Sequence, residues 1–345
     1  MGTLYASPAG GEVIFDGRPV ATLPLPVAVT RAGPGDVVQL TPARYTQAIH
    51  LDAGGRQGQP LTVRGAEGVV LDGQQPPTPA SAGHMTPTEA DFSFVSLRSA
   101  DHVILERLVF ERCWPLAVLA RGCRSLIVRD CACVGSQFFV YARNRSRAFL
   151  PDVLAHGMTL ERVRWIQDLE GRMWRGEISW KSVKGQGPKP HHTYFNGAFF
   201  GSFDIAGGVT IRDCTVSHAF NSIRMECRAD PDLKRGRNVD VEIAGCRFDH
   251  IRDNAIEPEI SARNWWIHHN DLRNVHASYS LHNLSGGGFY LFGNQLWFDS
   301  KPTDTSNTGG KVLKFVAGEP YPTLPINVFH NSCFIRSTYT KDGDT

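Results

Sequence analysis

The sequence predicts an all-β chain, a right-handed parallel β-helix with loop insertions, on three observations. A short pattern recurs at nearly constant spacing, strand-like alternation fills each recurrence, and Gly and Pro punctuate the stretches between. The clearest recurrences are Ile211-Arg-Asp-Cys214-Thr-Val216, Ile243-Ala-Gly-Cys246-Arg-Phe248 and Ile267-His-His-Asn270-Asp-Leu272, offset by 32 and 24 residues. The same pattern is anchored at Leu105, Val128, Leu160, Leu291 and Val328, and the successive offsets along the chain are 23, 32, 51, 32, 24, 24 and 37. A base period near 23 or 24 with insertions suits a solenoid in which each coil buries its inward side chains against the coils above and below. Leucine-rich repeats would need a Leu consensus that is missing. Tetratricopeptide and ankyrin periods would need helices, which the β-branched alternation argues against.

The chain has 345 residues, 41% hydrophobic and 20% charged, with 34 Gly, 21 Pro and 8 Cys. Because repeat folds grow along one axis, residues 1–345 are expected to form one domain despite the length. A net charge of +2 gives no reason to expect nucleic acid or an anionic membrane as partner. The basic cluster Arg143-Asn-Arg145-Ser-Arg147 reads as solvated surface, with an anion contact as the alternative. No run approaches the ~20 apolar residues of a membrane span. Leu4-Tyr5-Ala6 follows Met1-Gly2 with no signal-peptide hydrophobic region. The chain is therefore expected to be secreted or periplasmic with its leader absent from this sequence, or else cytoplasmic. Cys131, Cys214 and Cys246 share one repeat position and Cys333 falls two places later, a pattern of buried free thiols rather than disulfides or a zinc site.

Residues 1–75 read as an N-terminal cap and first coils, with short strands around Leu4-Tyr5, Val37-Val-Gln-Leu40, Leu61-Thr-Val-Arg-Gly65 and Val69-Val-Leu-Asp-Gly73, and a Pro-broken stretch through Pro26. Through Gly33-Pro-Gly-Asp36-Val-Val-Gln-Leu40, Tyr45 and Pro60-Leu-Thr-Val-Arg-Gly65, this opening resembles the pectate-lyase-like right-handed β-helix superfamily. Within that superfamily it looks most like the alginate lyase and chondroitinase B group. Residues 76–90 read as a loop off the first turns, carrying His84.

The longest interruption, Gln167 to Gly208, is expected to wall a binding site on one face, with Trp180, His192 and Tyr194 as substrate contacts. Its fragment Glu177-Ile-Ser-Trp-Lys181-Ser182 is similar to a motif of the same lyase group. The resemblance implies that Glu177 binds calcium and Lys181 is the base. The spacing from Glu to Lys is one residue shorter here, and Arg175 stands where the group has a second carboxylate.

Alternation along Ile223–Cys227, Ile256–Ile260 and the strand near Tyr279 places Arg224, Glu226, Arg228, Glu257, Glu259 and His282 on one outer face. Clustered carboxylates suit either an acid/base pair or a hard cation, so Glu257, Glu259 and Asp253 are candidate calcium ligands. The plain alternative is a ladder in which Arg224 and Arg228 neutralise Glu257 and Glu259 between coils. Arg228, His276 and Trp266 are further candidate substrate contacts. Of Trp265 and Trp266, and of His268 and His269, one of each pair should face the core. Asn270, Asn294 and Asn331 continue the cysteine column and should form an amide ladder.

Three functions follow. The first is a polysaccharide lyase acting by β-elimination on a uronic-acid polymer, with Arg224, Glu226, Glu257, Glu259, Lys181 and His282 as catalytic candidates. The second is a glycoside hydrolase using paired carboxylates. The third is a noncatalytic glycan-binding protein. The partner in each case is a polysaccharide or oligosaccharide. The last coil, Val328 to Arg336, has little after it, so a self-associating partner, a folded-back tail or further chain is expected to cover it.

Overall fold

The computed structural model describes residues 2–82, 86–144, 155–228, 236–281, 284–302, 310–315 and 324–336. His84, Arg145, Arg147, His282 and the residues after Arg336 therefore lie outside the described residues. Each coil contributes up to three strands, as in Val103–Glu106, Val109–Glu111 and Leu116–Arg121, followed by Arg124–Arg129, Ala132–Val134 and Phe138–Arg143. Corresponding strands of successive coils pair in parallel. The first strands stack into a first face that belongs to a 13-stranded sheet. The second and third faces merge into a 17-stranded sheet, because Arg247–Pro258 and Asp271–Ser280 run on around the corner between them. This is the parallel β-helix the repeat spacing predicts. Its phase is also as read, since Leu105, Val128, Leu160, Ile211, Ile243, Ile267, Leu291 and Val328 are in register from coil to coil.

The corner between the first and second faces is tight for a local reason. It places one residue at positive φ, at Arg107, Asp130, Arg162, Asp213, Gly245, His269, Gly293 and His330, which reverses the chain in a single step. The next residue points inward, which builds the column Cys131, Val163, Cys214, Cys246, Asn270 and Asn294, all buried. Each thiol donates to the carbonyl of the preceding coil, Cys214 to Leu160 and Cys246 to Ile211, both at 3.6 Å. The asparagines bond in both directions: Asn270 Nδ2 donates to the Ile243 carbonyl at 2.9 Å, and its Oδ1 accepts from the Cys246 amide at 2.9 Å. All eight cysteines are free, with Cys333 alone exposed. Burial pushes the Cys131 thiol up to about 12, which keeps it protonated and inert.

Trp265 is fully buried and Trp266 is 43% exposed, as alternation requires. The histidine pair departs from that rule. His269 is the positive-φ corner residue and His268 bonds Glu242 at 3.3 Å on the outer surface, so neither reaches the core. At the N-terminus, the stretch read as Pro-broken contains a helix, Leu25–Arg31, that buries Leu25, Ala28 and Val29 over the first coil. Pro26 falls in its first turn, where a missing amide proton costs nothing. The main cluster of buried hydrophobic side chains extends from Ala6 to Phe298. No helix among the described residues is long and apolar enough to cross a membrane.

Long connections leave at the corner between the second and third faces. The described residues 73–82, 86–92 and 167–197 connect second-face to third-face strands. The third face is therefore bordered by long connections along its second-face edge. The long insertion is shorter than the sequence suggested, because Ala198–Phe203 is a third-face strand and Gly207–Arg212 opens the next coil.

Candidate functional site

Third-face strands Asn221–Glu226 and Arg247–Pro258 place Arg224 in register with Glu257, with Glu226 two residues along on the same outward side. Glu259 follows at the turn into the next coil, held by its amide's bond to the Met225 carbonyl at 2.9 Å. The Arg224 guanidinium collects all three acids: it bonds Glu259 Oε2 at 2.8 Å, pairs with Glu226, and lies 3.6 Å from Glu257 Oε2. Side-chain exposure is 14% for Arg224, 20% for Glu226, 17% for Glu259 and 4% for Glu257. Sequence alternation thus brought these four together correctly.

The charges do not cancel, since one guanidinium faces three carboxyls. Burial, then the neighbouring Glu259, pushes Glu257 up to about 7. Burial also raises Glu259, against the pull of Arg224 and with help from the Glu226 carboxyl in hydrogen-bonding contact. Burial by itself would lower Arg224, but Glu259, Glu257 and Glu226 outweigh it and keep the guanidinium charged.

The cluster continues along the corner toward the insertion. Asn254 Nδ2 donates to Glu257 Oε1 at 2.5 Å, and Lys314 Nζ donates to Asn254 Oδ1 at 3.2 Å. Lys184, from the insertion, lies 2.7 Å from Asp253 Oδ2, over the rings of Trp180 and Phe220 at 5.3 and 5.1 Å. Burial alone would raise Asp253, but Lys184, His276 and Lys314 overcome it and hold the carboxylate ionised. His276 is buried beside this carboxylate, and burial pushes it down to about 3.

Several sequence expectations are corrected here. Lys181 is exposed on the short helix Trp180–Val183; the lysine that reaches the third face is Lys184, one helical turn on. Glu177 pairs with Arg175 at 2.6 Å on the outside of the insertion. His192 bonds Ser182 at 2.6 Å and holds the insertion's own fold. Trp180 and Tyr194 pack with Trp114, Phe195 and Phe220, a second apolar cluster that seats the insertion rather than lining a groove. His276 is buried instead of exposed because its strand turns the corner at Asn274, which takes positive φ and restarts the alternation two residues before it. Trp266 stacks on Tyr290 on the first face, away from the carboxyls. Among the described residues no group of three or more His, Cys, Asp or Glu side chains is arranged to hold a metal ion. Of the candidate calcium ligands, Glu257 and Glu259 face Arg224 and Asp253 faces Lys184.

Arg228 lies beside the cluster. Its Nε bonds Asp204 at 2.7 Å, and with Ala82, Thr86, Thr88, Arg143, Asn144, Phe203 and Asp204 it lines a cavity of about 440 Å³. The sequence reading missed Phe203 and Asp204 because it assigned them to the insertion. Aligning Phe200-Gly-Ser-Phe203 with Ile223-Arg-Met-Glu226 would have found them.

The fold is shared with pectate lyase Pel9A, at a TM-score of 0.54 and 13% identity over 93% of this chain and 81% of that one. It is also shared with a polygalacturonase from Erwinia carotovora ssp. carotovora, at 0.54 and 9% over 97% and 93%. An endo-xylogalacturonan hydrolase from Aspergillus tubingensis gives 0.50 and 10% over 96% and 93%. These likenesses show the class of fold, a parallel β-helix. No family model and no curated protein matches the sequence.

Proposed function

We propose that the protein is a carbohydrate-active enzyme that hydrolyses a glycosidic bond in an acidic polysaccharide, using the carboxyls gathered around Arg224. The observation that carries this reading is the excess of acid: three carboxyls share one guanidinium on the face that the insertion borders, and two of them bind their protons more tightly than free carboxyls. Glycoside hydrolysis needs one carboxyl protonated near neutral pH, to give its proton to the leaving oxygen, and one carboxylate to activate water or attack the sugar. Glu257 supplies the first and Glu226 the second. Arg224 fixes their orientation and favours the anion left once the acid has given up its proton. A simple charge ladder explains less, because it would balance acids with bases, and Arg228 serves Asp204 instead.

A second reading is β-elimination on a uronic-acid polymer, favoured by the Arg143 and Arg228 guanidiniums that line the cavity beside Glu226. It needs a base at C5. Arg224 is held by three carboxyls and Lys184 by Asp253, which makes elimination the weaker of the two. A polymeric substrate suits a secreted or periplasmic protein. The exposed Val328, Phe329, Phe334 and Ile335 support self-association through the last coil, which sedimentation velocity reads directly.

Polygalacturonate, alginate and chondroitin sulfate would be incubated with the protein, following reducing ends and the ultraviolet absorbance of a new C4=C5 bond. Hydrolysis gives reducing ends without that absorbance; elimination gives both. Glu257→Gln should lower kcat by ~10²-fold or more. Cleavage undiminished in that variant, or no cleavage of any acidic polymer, removes the proposal.

A further inference from the structure

Three arginines of the third face are in register on consecutive coils, Arg98 with Arg121 and Arg121 with Arg143. The same column continues through Phe203 to Glu226. Strands of a sheet lie about 4.8 Å apart, so four steps take this column roughly 19 Å along the solenoid axis and end it at the carboxyl cluster. Like charges directly opposite each other on adjacent strands destabilise a sheet. Here they are only partly offset: Glu89 pairs with Arg121 at 2.7 Å, Arg143 donates to the Pro87 carbonyl at 3.0 Å, and the Arg98 side chain makes no hydrogen bond or ion pair among the described residues. Two cavities open on the column. One of about 360 Å³ is lined by Asp52, Arg98, Ser99 and Arg121, and the other, of about 440 Å³, has Arg143, Phe203 and Arg228 in its wall.

We infer that this column is a binding tract for a carboxylated sugar chain lying parallel to the solenoid axis, with Arg98, Arg121 and Arg143 facing its carboxylates and the Phe203 ring beneath the sugar that adjoins Glu226. The inference deepens the proposed function and rests on it for the position of the cleaved bond. Guanidiniums pair bidentately with carboxylates and an aromatic face accepts the apolar side of a pyranose, so the order arginine, arginine, arginine, ring, acid is a register for one anionic polymer. It also assigns direction, with the anionic sugars remote from the cut on the N-terminal side.

The test is calorimetric binding of polygalacturonate, alginate and chondroitin sulfate to Glu257→Gln protein, with and without a second substitution. The tightest polymer should lose about 5- to 10-fold in affinity with Arg98→Ala and again with Arg143→Ala, and the loss should shrink as salt is raised. Its carboxyl methyl ester should bind weakly and be indifferent to both changes. Arg98 has no partner to lose, so its variant keeps the fold, and Arg164→Ala on the second face should change nothing. Unchanged affinity in both variants, or equal binding of the ester, overturns the tract while the catalytic reading stands if Glu257→Gln has lost turnover. Weakened binding together with full turnover by Glu257→Gln keeps the tract and removes the catalytic assignment. Failure of all three polymers to bind overturns the tract.

Discussion

Glu257 is nearly inaccessible, accepts an amide hydrogen bond from Asn254, and faces a guanidinium shared with two other acids. Its carboxyl is pushed up to about 7 in the folded chain against an ordinary value of 4.5. A carboxyl whose folded value is raised contributes stability that is whole at low pH and is lost as pH rises from the unfolded to the folded value. Between pH 4.5 and about 7 the wild type should therefore lose on the order of 1–3 kcal/mol from this group, and Glu257→Gln should not. Thermal melts of both proteins at pH 5 and pH 8 measure the difference, and the Gln variant should be at least as stable as wild type at pH 8. Activity and stability should then separate at one residue, since the proposed catalytic role has the same substitution lower turnover. Arg224→Ala separates them less well: it strands three carboxyls, and its melting point should fall by the equivalent of ~2–4 kcal/mol together with activity.

At the scale of elements, the insertion at 167–197 is attached by two different means. Met173, Ile178 and Val183 bury against Trp114, Phe195 and Phe220, while Lys184 reaches down to Asp253. Lys184→Met leaves a buried carboxylate short of its nearest cation and should cost ~2–3 kcal/mol. Adding Asp253→Asn to that variant should recover a good part of the loss, and a double-mutant cycle on melting points reads the coupling. The corner column behaves otherwise, because its members bond backbone to backbone across coils. Asn270→Ala would remove the side-chain bonds to the buried Cys246 amide and Ile243 carbonyl and should cost ~1–3 kcal/mol with no effect on KM. Chemical denaturation of the variant beside its turnover of substrate checks both halves of that statement.

For the whole molecule these groups set a pH window. His276, pushed down to about 3 by burial, contributes stability that is whole above its ordinary value of 6.5 and is lost as pH falls toward 3. Asp253, held down by Lys184 and its neighbours, acts in the same sense at still lower pH. Glu257 acts in the opposite sense above pH 4.5, so the stability profile should be domed, with its acid limb shallower in His276→Leu protein. A melting-point profile that rises steadily to pH 9 would contradict this assignment of charge states.

The architecture, the coil phase and the identity of the acidic cluster were legible in the sequence, because each depends on short-range alternation and on a period that repeats along the chain. Leu105 through Val328, the inward column from Cys131 to Asn294, and the quartet Arg224, Glu226, Glu257 and Glu259 all follow from period two within a strand and about 24 between strands. What tertiary structure decided lies at the corners. A corner restarts the alternation, which is why His268 and His269 both face outward and His276 went inside. It also decides which face a loop overhangs, so Lys184 rather than Lys181 meets the third face and Trp266 stands apart from the carboxyls. The arginine column is invisible to local pattern for the same reason: Arg98, Arg121 and Arg143 are 23 and 22 residues apart, and only parallel pairing in register brings their charges side by side.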